Sequence, residues 1–218
     1  YSCECHKYIK KYNDKYILGI YKINTYNELD LTRLNGRMPT IIIECNDNCE
    51  CSNNWWDCGN RVIQNHRYQQ HLKLYVSKNG SKGWGVFAKE FIKKGTFIGE
   101  YIGEIISLNQ THKRGTQYDK IGSSYIWDCN DKSIDATKYG NITRFINHSC
   151  NANLFTLNAL IESRELHEVP SVAMFAAKNI NKFDELTVNY KYDICKDSKN
   201  QNAIPCFCKQ IDCRGRIT

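Results

Sequence analysis

Twelve cysteines stand among 218 residues, and their spacing suggests metal chemistry. The pairs Cys3/Cys5, Cys49/Cys51 and Cys206/Cys208 each put two thiols on one tight segment, which suits two ligands of a tetrahedral ion. Cys45 and Cys58 flank the second pair, and Cys213 follows the third. A disulfide framework is the alternative. Such frameworks belong mainly to short chains without a core, and this chain is 41% hydrophobic, so the metal reading is preferred. The sequons at Asn109, Asn141 and Asn147 are then chance occurrences in an Asn-rich sequence. Gly83-Trp84-Gly85 sets a flat aromatic face between two residues that let backbone approach a ligand, although alone it reads as readily as a turn. Asn147-His148 follows the apolar Phe145-Ile146. Buried there, an amide and an imidazole must find partners, in a binding site or in a satisfied core pair. Tyr190 ends the strand-like run from Glu185, but it is one of fourteen tyrosines. Asp128, Asp131 and Asp135 could meet a basic peptide or form a solvated acidic face.

The elements that must position these residues are short. From His71 to Tyr192 glycines break the chain into strands expected at 72–76, 84–88, 96–106, 125–128, 171–177 and 185–190. An earlier strand is expected at 40–44. Helices are expected only near 107–114 and 137–139, so the fold class is mainly β with short helical pieces. The run from Lys191 to Pro205 is polar. No stretch reaches the roughly 18 apolar residues of a membrane helix, and 1–11 does not read as a signal peptide, so a soluble chain without membrane contact is expected. The net charge of +7 lies mostly on the two cysteine-rich ends, which leaves non-specific DNA contact open beside an ordinary solvated surface.

Four segments in this order, Gly83-Trp84-Gly85, 100–104 (EYIGE), 144–150 (RFINHSC) and 185–190 (ELTVNY), followed by Cys206-x-Cys208-x4-Cys213, resemble the SET-domain protein lysine methyltransferases. Upstream, Cys3-x-Cys5 and the run from Glu44 to Arg61 resemble the pre-SET segment of the suppressor-of-variegation class, which methylates histone H3 at lysine nine. The resemblance implies a SET (β-clip) fold of several small sheets, with a pre-SET segment at 1–70, a SET domain at 71–194 and a post-SET tail at 195–218. It implies a nuclear, chromatin-associated, monomeric enzyme acting on the histone H3 tail or nucleosome. It also implies S-adenosylmethionine as cofactor, held by Lys82, Gly83, Trp84, Asn147 and His148 with Arg144 in support and Tyr101 beside them. Tyr190 would orient the lysine nitrogen, with Tyr125 as the second channel tyrosine and Asp128 and Asp135 near the peptide. Cys150, Cys206, Cys208 and Cys213 would hold one zinc.

Methyl transfer by displacement needs a neutral amine, and a lysine with pKa near 10.4 is mostly charged at pH 7. A sulfonium about 4 Å away, at an effective dielectric of about 20, repels that charge by roughly 4 kcal/mol and so favours the neutral form.

Departures from the family pattern are informative. Its pre-SET segment carries nine cysteines, whereas here Cys3, Cys5, Cys45, Cys49, Cys51 and Cys58 make six. They serve two zincs if two sulfurs bridge or if His6 or water contributes, with one zinc and then none as the next readings. Val188 stands where an aromatic residue usually limits the channel, so di- or trimethylation is expected. Ala152 replaces a proline. Arg216 stands where an aromatic residue often covers the cofactor, a role left to Phe207. Cys129 and Cys195 read as ordinary thiols. A catalytically inactive chromatin-binding module and a methyltransferase of another protein are the remaining readings.

Overall fold

An apolar run without polar alternation calls for cover on both faces. Val172–Ala176 is such a run, and all five residues are buried in the computed structural model. The structure describes residues 16–18, 28–29, 41–51, 53, 58–68, 72–121, 125–129, 131–161, 171–190 and 204–217. Cys3, Cys5, His6 and Cys195 lie outside them.

The strands are β1 (Tyr16–Leu18), β2 (Ile41–Ile43), β3 (Leu74–Lys78), β4 (Trp84–Ala88), β5 (Phe97–Tyr101), β6 (Glu104–Ser107), β7 (Ile126–Asp128), β8 (Lys132–Asp135), β9 (Asn147–His148), β10 (Leu154–Leu160), β11 (Val172–Ala176) and β12 (Glu185–Val188). The α-helices among the described residues are α1 (Val62–Tyr68) and α2 (Leu108–Ile121). Single 3-10 turns occupy Gly80–Lys82 and Ile142–Phe145. No helix among the described residues is long and apolar enough to cross a membrane.

The chain packs as two units, neither continuous in sequence. The first comprises Tyr1–Leu72, Gly95–Arg144 and Thr156–Phe175; the second comprises Lys73–Lys94, Phe145–Phe155 and Ala176–Thr218.

In the first unit β2 lies parallel to both β1 and β10, with Ile41 opposite Tyr16 and Asn158. β5 pairs antiparallel with β11, and the Phe97 and Phe175 rings meet at 5.3 Å. β6, β8 and β7 form a separate antiparallel sheet. The expected strand 96–106 is thus two strands. The break falls at Gly103, where a Cβ would come within 2.6 Å of the Asp135 backbone, so only glycine lets β6 turn against β8.

Helix α2 starts as the sequence suggests, with Ser107 and Gln110 as a reciprocal capping box: the Ser107 N–H donates to Gln110 Oε1 at 3.2 Å and the Gln110 N–H to Ser107 Oγ at 3.5 Å. It continues seven residues past the expected end at Arg114 because tertiary bonds hold it. Arg114 Nη1 donates to Glu104 at 2.7 Å and to Asp135 at 2.8 Å, and the Tyr118 hydroxyl, one turn on, donates to Asp135 at 3.0 Å. The expected helix at 137–139 is a turn, followed by the 3-10 turn at Ile142–Phe145.

Burial alone would raise the Asp135 carboxyl, but donors from Thr137, Arg114 and Tyr118 outweigh it and hold the group below the usual carboxylate range. A depressed folded pKa adds stability above the unfolded value, near 3.9, and the gain is lost as pH falls through the lower folded value. Arg114→Met should therefore destabilise the fold near neutral pH and flatten the acid limb of the stability curve, as read by urea unfolding between pH 2 and 7.

In the second unit β3 and β4 form a hairpin, and β12 pairs antiparallel with β4. The other edge of β12 runs parallel to β9, with Thr187 opposite Asn147 and Val188 opposite His148. Val86, Ala88 and Leu186 are fully buried between these strands.

Candidate functional site

The second unit assembles one group of expected site residues around the β4, β9 and β12 strands. The turn Gly80–Lys82 ends at Gly83 with φ 79°, a left-handed conformation that favours glycine and leads the chain into β4. Trp84 follows, 51% exposed. At Gly85 a Cβ would meet Glu185 Oε1 at 2.9 Å and Asn147 Nδ2 at 3.1 Å, so glycine is what lets the amide lie against β4. Asn147 Nδ2 donates to the Trp84 carbonyl and to Glu185 Oε1, both at 2.9 Å. The two motifs are thereby one hydrogen-bonded cluster, a backbone cradle that suits a ligand with a polar end and a flat ring. The Lys82 ammonium is paired with Glu185 Oε2 at 2.6 Å, so its charge is taken by a carboxylate. Glu185 thus ties Lys82 to Asn147, a role the sequence reading missed; the only signal was an acid opening an apolar strand.

His148 is buried, and its Nδ1 accepts the Tyr190 backbone N–H at 3.2 Å. Burial, reinforced by the positive Arg214 and Lys82, lowers its pKa to about 4, so the ring is neutral near pH 7. With Nδ1 accepting, the ring proton sits on Nε2, which faces Cys150 Sγ at 3.6 Å. The Tyr190 ring packs on the imidazole at 5.3 Å, and its hydroxyl donates to the Ile146 carbonyl at 2.9 Å. Towards any third group that hydroxyl can only accept. Val188 is buried, and its carbonyl accepts the Ser149 N–H.

Cys150, Cys206, Cys208 and Cys213 come together in the same unit, all four sulfurs within 4.8 Å of one another. Cys150 and Cys206 are 3.8 Å apart, close to the roughly 3.8 Å edge of a tetrahedron with 2.3 Å metal–sulfur bonds. Backbone N–H groups of Arg214 and Gly215 donate to the Cys150 and Cys213 sulfurs, each at 3.4 Å. Burial pushes Cys206 up to about 12; against the same burial, backbone donors from Cys150 and Gln210 bring Cys208 down to about 6. Four thiols so crowded resist common ionisation, and a divalent cation removes that resistance. The donor set therefore fits a metal. Phe207, between two of these cysteines, is 45% exposed.

The first unit holds the other expected residues. The Tyr101 hydroxyl donates to the Tyr125 carbonyl at 2.8 Å, and its ring packs on Trp127. The Arg144 guanidinium lies 4.0 Å over the Tyr125 ring while bonding the Ala136 and Thr137 carbonyls at 2.7 and 3.1 Å. Arg144 thus braces Tyr125 and ties it to the segment after β8. Asp128 is exposed, but Asp135 is only 2% exposed and its oxygens are engaged by Arg114, Tyr118 and Thr137. The expectation that Asp135 presents charge to a basic peptide is corrected accordingly: its role is structural, joining α2 to β8.

A second cysteine cluster, also in the first unit, joins Cys45, Cys51 and Cys58. Cys49 is not among these three; its thiol bonds Asn46 Oδ1 at 3.6 Å. Hydrogen bonding to Cys45 and burial raise Cys58, and burial with Cys58 raises Cys51, the crowding a cation would relieve. The buried Arg61 guanidinium lies against Cys51 and donates to the Asn46 carbonyl. Glu44, next to Cys45, accepts the Ile63 and Gln64 N–H groups at 2.7 and 3.2 Å and so caps the first turn of α1. Cys129 stands outside both clusters, its thiol pushed up to about 12 by burial.

A family model described as the SET domain matches residues 83–191. The histone-lysine N-methyltransferase SUV39H2 of Xenopus tropicalis is 36% identical over 206 residues, covering 88% of this chain and 49% of the relative. The histone-lysine N-methyltransferase Su(var)3-9 of Drosophila melanogaster is 36% identical over 199 residues, covering 86% of this chain and 30% of that one. Among solved structures, KRYPTONITE in complex with mCHH DNA, H3(1-15) peptide and SAH superposes with a TM-score of 0.76 at 28% identity, covering all of this chain and 41% of that one. The chain therefore spans about half the length of the frog relative or less of the others.

Proposed function

Given that this chain belongs to the SET-domain family, we propose that it is an S-adenosylmethionine-dependent protein lysine N-methyltransferase acting on the histone H3 tail at lysine nine. The observation that carries the reading is the single cluster in which Asn147 joins the Gly83-Trp84-Gly85 turn while His148 holds the backbone of Tyr190. Relatives bearing the histone-lysine methyltransferase name and the H3 peptide in the KRYPTONITE complex support the substrate class.

In this reading Gly83, Trp84, Asn147 and His148 hold the cofactor, which supplies an electrophilic methyl on a sulfonium. Lys82 acts through its ion pair with Glu185, Arg144 through Tyr125, and Phe207 covers the site. A neutral His148 adds no positive charge beside that sulfonium. The Tyr190 oxygen, its proton committed to the Ile146 carbonyl, accepts an N–H of the substrate lysine and fixes its nitrogen lone pair in line for transfer. Tyr125 lines the channel, and Asp128 meets the peptide. Zinc would fill the Cys150 cluster; Cys45, Cys51 and Cys58 would hold another with Cys3 or Cys5 completing the set, and a second N-terminal zinc would take Cys49 with bridging sulfurs or His6 making up its four ligands. The division into 1–70, 71–194 and 195–218, a monomeric state, DNA contact and a nuclear location belong to the same reading.

The deciding experiment is a methyl-transfer assay on H3 peptides against a panel of other basic peptides. Transfer to lysine nine, lost in a peptide with arginine there, is expected; tail binding without turnover on any substrate would move the assignment to a chromatin-binding module. Val188 is smaller than the aromatic side chain usual at this position in the family, so mass spectrometry at long reaction times should show di- and trimethyl product, and Val188→Phe should shift it towards monomethyl by about tenfold or more. Monomethyl product alone from the wild type would refute the role of Val188.

A further inference from the structure

Two loops of the second unit meet edge to edge through backbone hydrogen bonds. Ile92 and Ile180 exchange both backbone hydrogen bonds, at 2.9 and 2.8 Å. Farther along, the Phe183 N–H donates to the Ala88 carbonyl at 2.7 Å and the Ala88 N–H to the Asp184 carbonyl at 3.1 Å. The Lys94 N–H adds a bond to Asn179 Oδ1 at 2.8 Å. The ladder holds the two loops side by side, with the Lys89 ammonium over the Tyr75 ring at 5.9 Å and Lys178 Nζ donating to Asn151 Oδ1 at 3.3 Å. Along these loops Lys89, Lys93, Lys94, Lys178 and Lys182 are exposed, with Asp184 as the exposed acid. Phe91 is 57% exposed and Phe183 64% exposed, although Ile92 and Ile180 beside them are buried.

Phe183 carries a second signal. Its φ of 73° is left-handed, a conformation a bulky residue adopts only at a cost that glycine would avoid. Its aromatic ring stands exposed, and the Lys182 ammonium sits 4.8 Å over it. A lysine surface alone fits any polyanion. Exposed rings interleaved with lysines fit a chain whose phosphates and unpaired bases are both within reach, because bases stack on aromatic faces without sequence preference. Duplex DNA would engage the lysines and leave the phenylalanines without a partner.

We propose that this edge binds single-stranded nucleic acid, with phosphates on the lysines and bases stacked on Phe91 and Phe183. The inference does not rest on the methyltransferase reading, since none of these residues belongs to that site.

Fluorescence anisotropy of the full chain with oligo(dT) of about 20 nucleotides, a duplex of equal length and phosphatidylserine vesicles tests it. The single strand should bind more tightly than the duplex. The Phe91→Ala/Phe183→Gly double variant should lose tenfold or more in affinity for the single strand while its duplex binding stays within about twofold. Relief of the backbone strain should leave its thermal midpoint unchanged or raised, which separates lost stacking from lost folding. Lys93→Gln/Lys94→Gln/Lys182→Gln should reduce the slope of log affinity against log salt by about 2. Duplex binding equal to or tighter than single-strand binding, affinity unchanged in the phenylalanine variant, binding to the vesicles alone, or no binding at about 50 mM salt would each overturn the proposal.

Discussion

Tyr190→Phe is expected to lower kcat by about a hundredfold or more while leaving the dissociation constant for S-adenosylmethionine within about twofold. The hydroxyl is the only atom removed, and the ring contact with His148 and the backbone bond to His148 Nδ1 both survive. What is lost is an acceptor held in one direction by its own bond to the Ile146 carbonyl. Misorientation of the nucleophile alone costs about two orders of magnitude in rate. The Ile146 carbonyl loses a donor, at a stability cost of about 1 kcal/mol. Single-turnover methyl transfer beside calorimetric titration of the cofactor separates the two effects. Turnover within tenfold of the wild type would reduce Tyr190 to a packing residue.

With zinc in the C-terminal cluster, as proposed, stripping it should also abolish activity, through order. The described tail, residues 204–217, is cross-linked by few backbone bonds, Cys206 to Gly215 and Ile217 to Ile204 among them. Metal–thiolate bonding of about 10 kcal/mol or more is far larger than these. Cys150 is also two residues from His148 and within 3.6 Å of its ring, so releasing the cluster frees the segment that carries Asn147 and His148. Cys208→Ser is expected to lower the metal content by one ion per chain in native mass spectrometry and activity by about a hundredfold, whereas Cys129→Ser changes neither. Full activity in a preparation shown to be metal-free would refute the coupling.

Much of the second unit was legible in advance. The strand expected at 84–88 is β4 to the residue, and the Asn147-His148 pair is satisfied by Trp84, Glu185 and Tyr190 rather than by anything nearby in sequence. Cys150, far from the terminal cysteines, does join them. The strands β1, β8, β9 and β10 and helix α1 were not anticipated. β9 has only two residues and exists because β12 offers it an edge, and α1 begins where Glu44, nineteen residues upstream of Ile63, caps it. Asp135 looked like a surface acid because nothing local reveals that Arg114 and Tyr118 reach it from a helix whose second half is polar.

By itself, the sequence determined the chemistry carried on short spans: paired thiols, the glycine-flanked tryptophan, and the amide beside an imidazole. Residues a few positions apart keep their relative placement in almost any fold, so such spacing survives folding. Only the tertiary structure decided which distant groups meet. It put the carboxylate of Glu185 between Lys82 and Asn147, buried Asp135 under Arg114, gathered Cys45, Cys51 and Cys58, and left Phe91 and Phe183 exposed. Strand pairing over long separations and desolvation set those outcomes, and neither has a local signature in the order of residues.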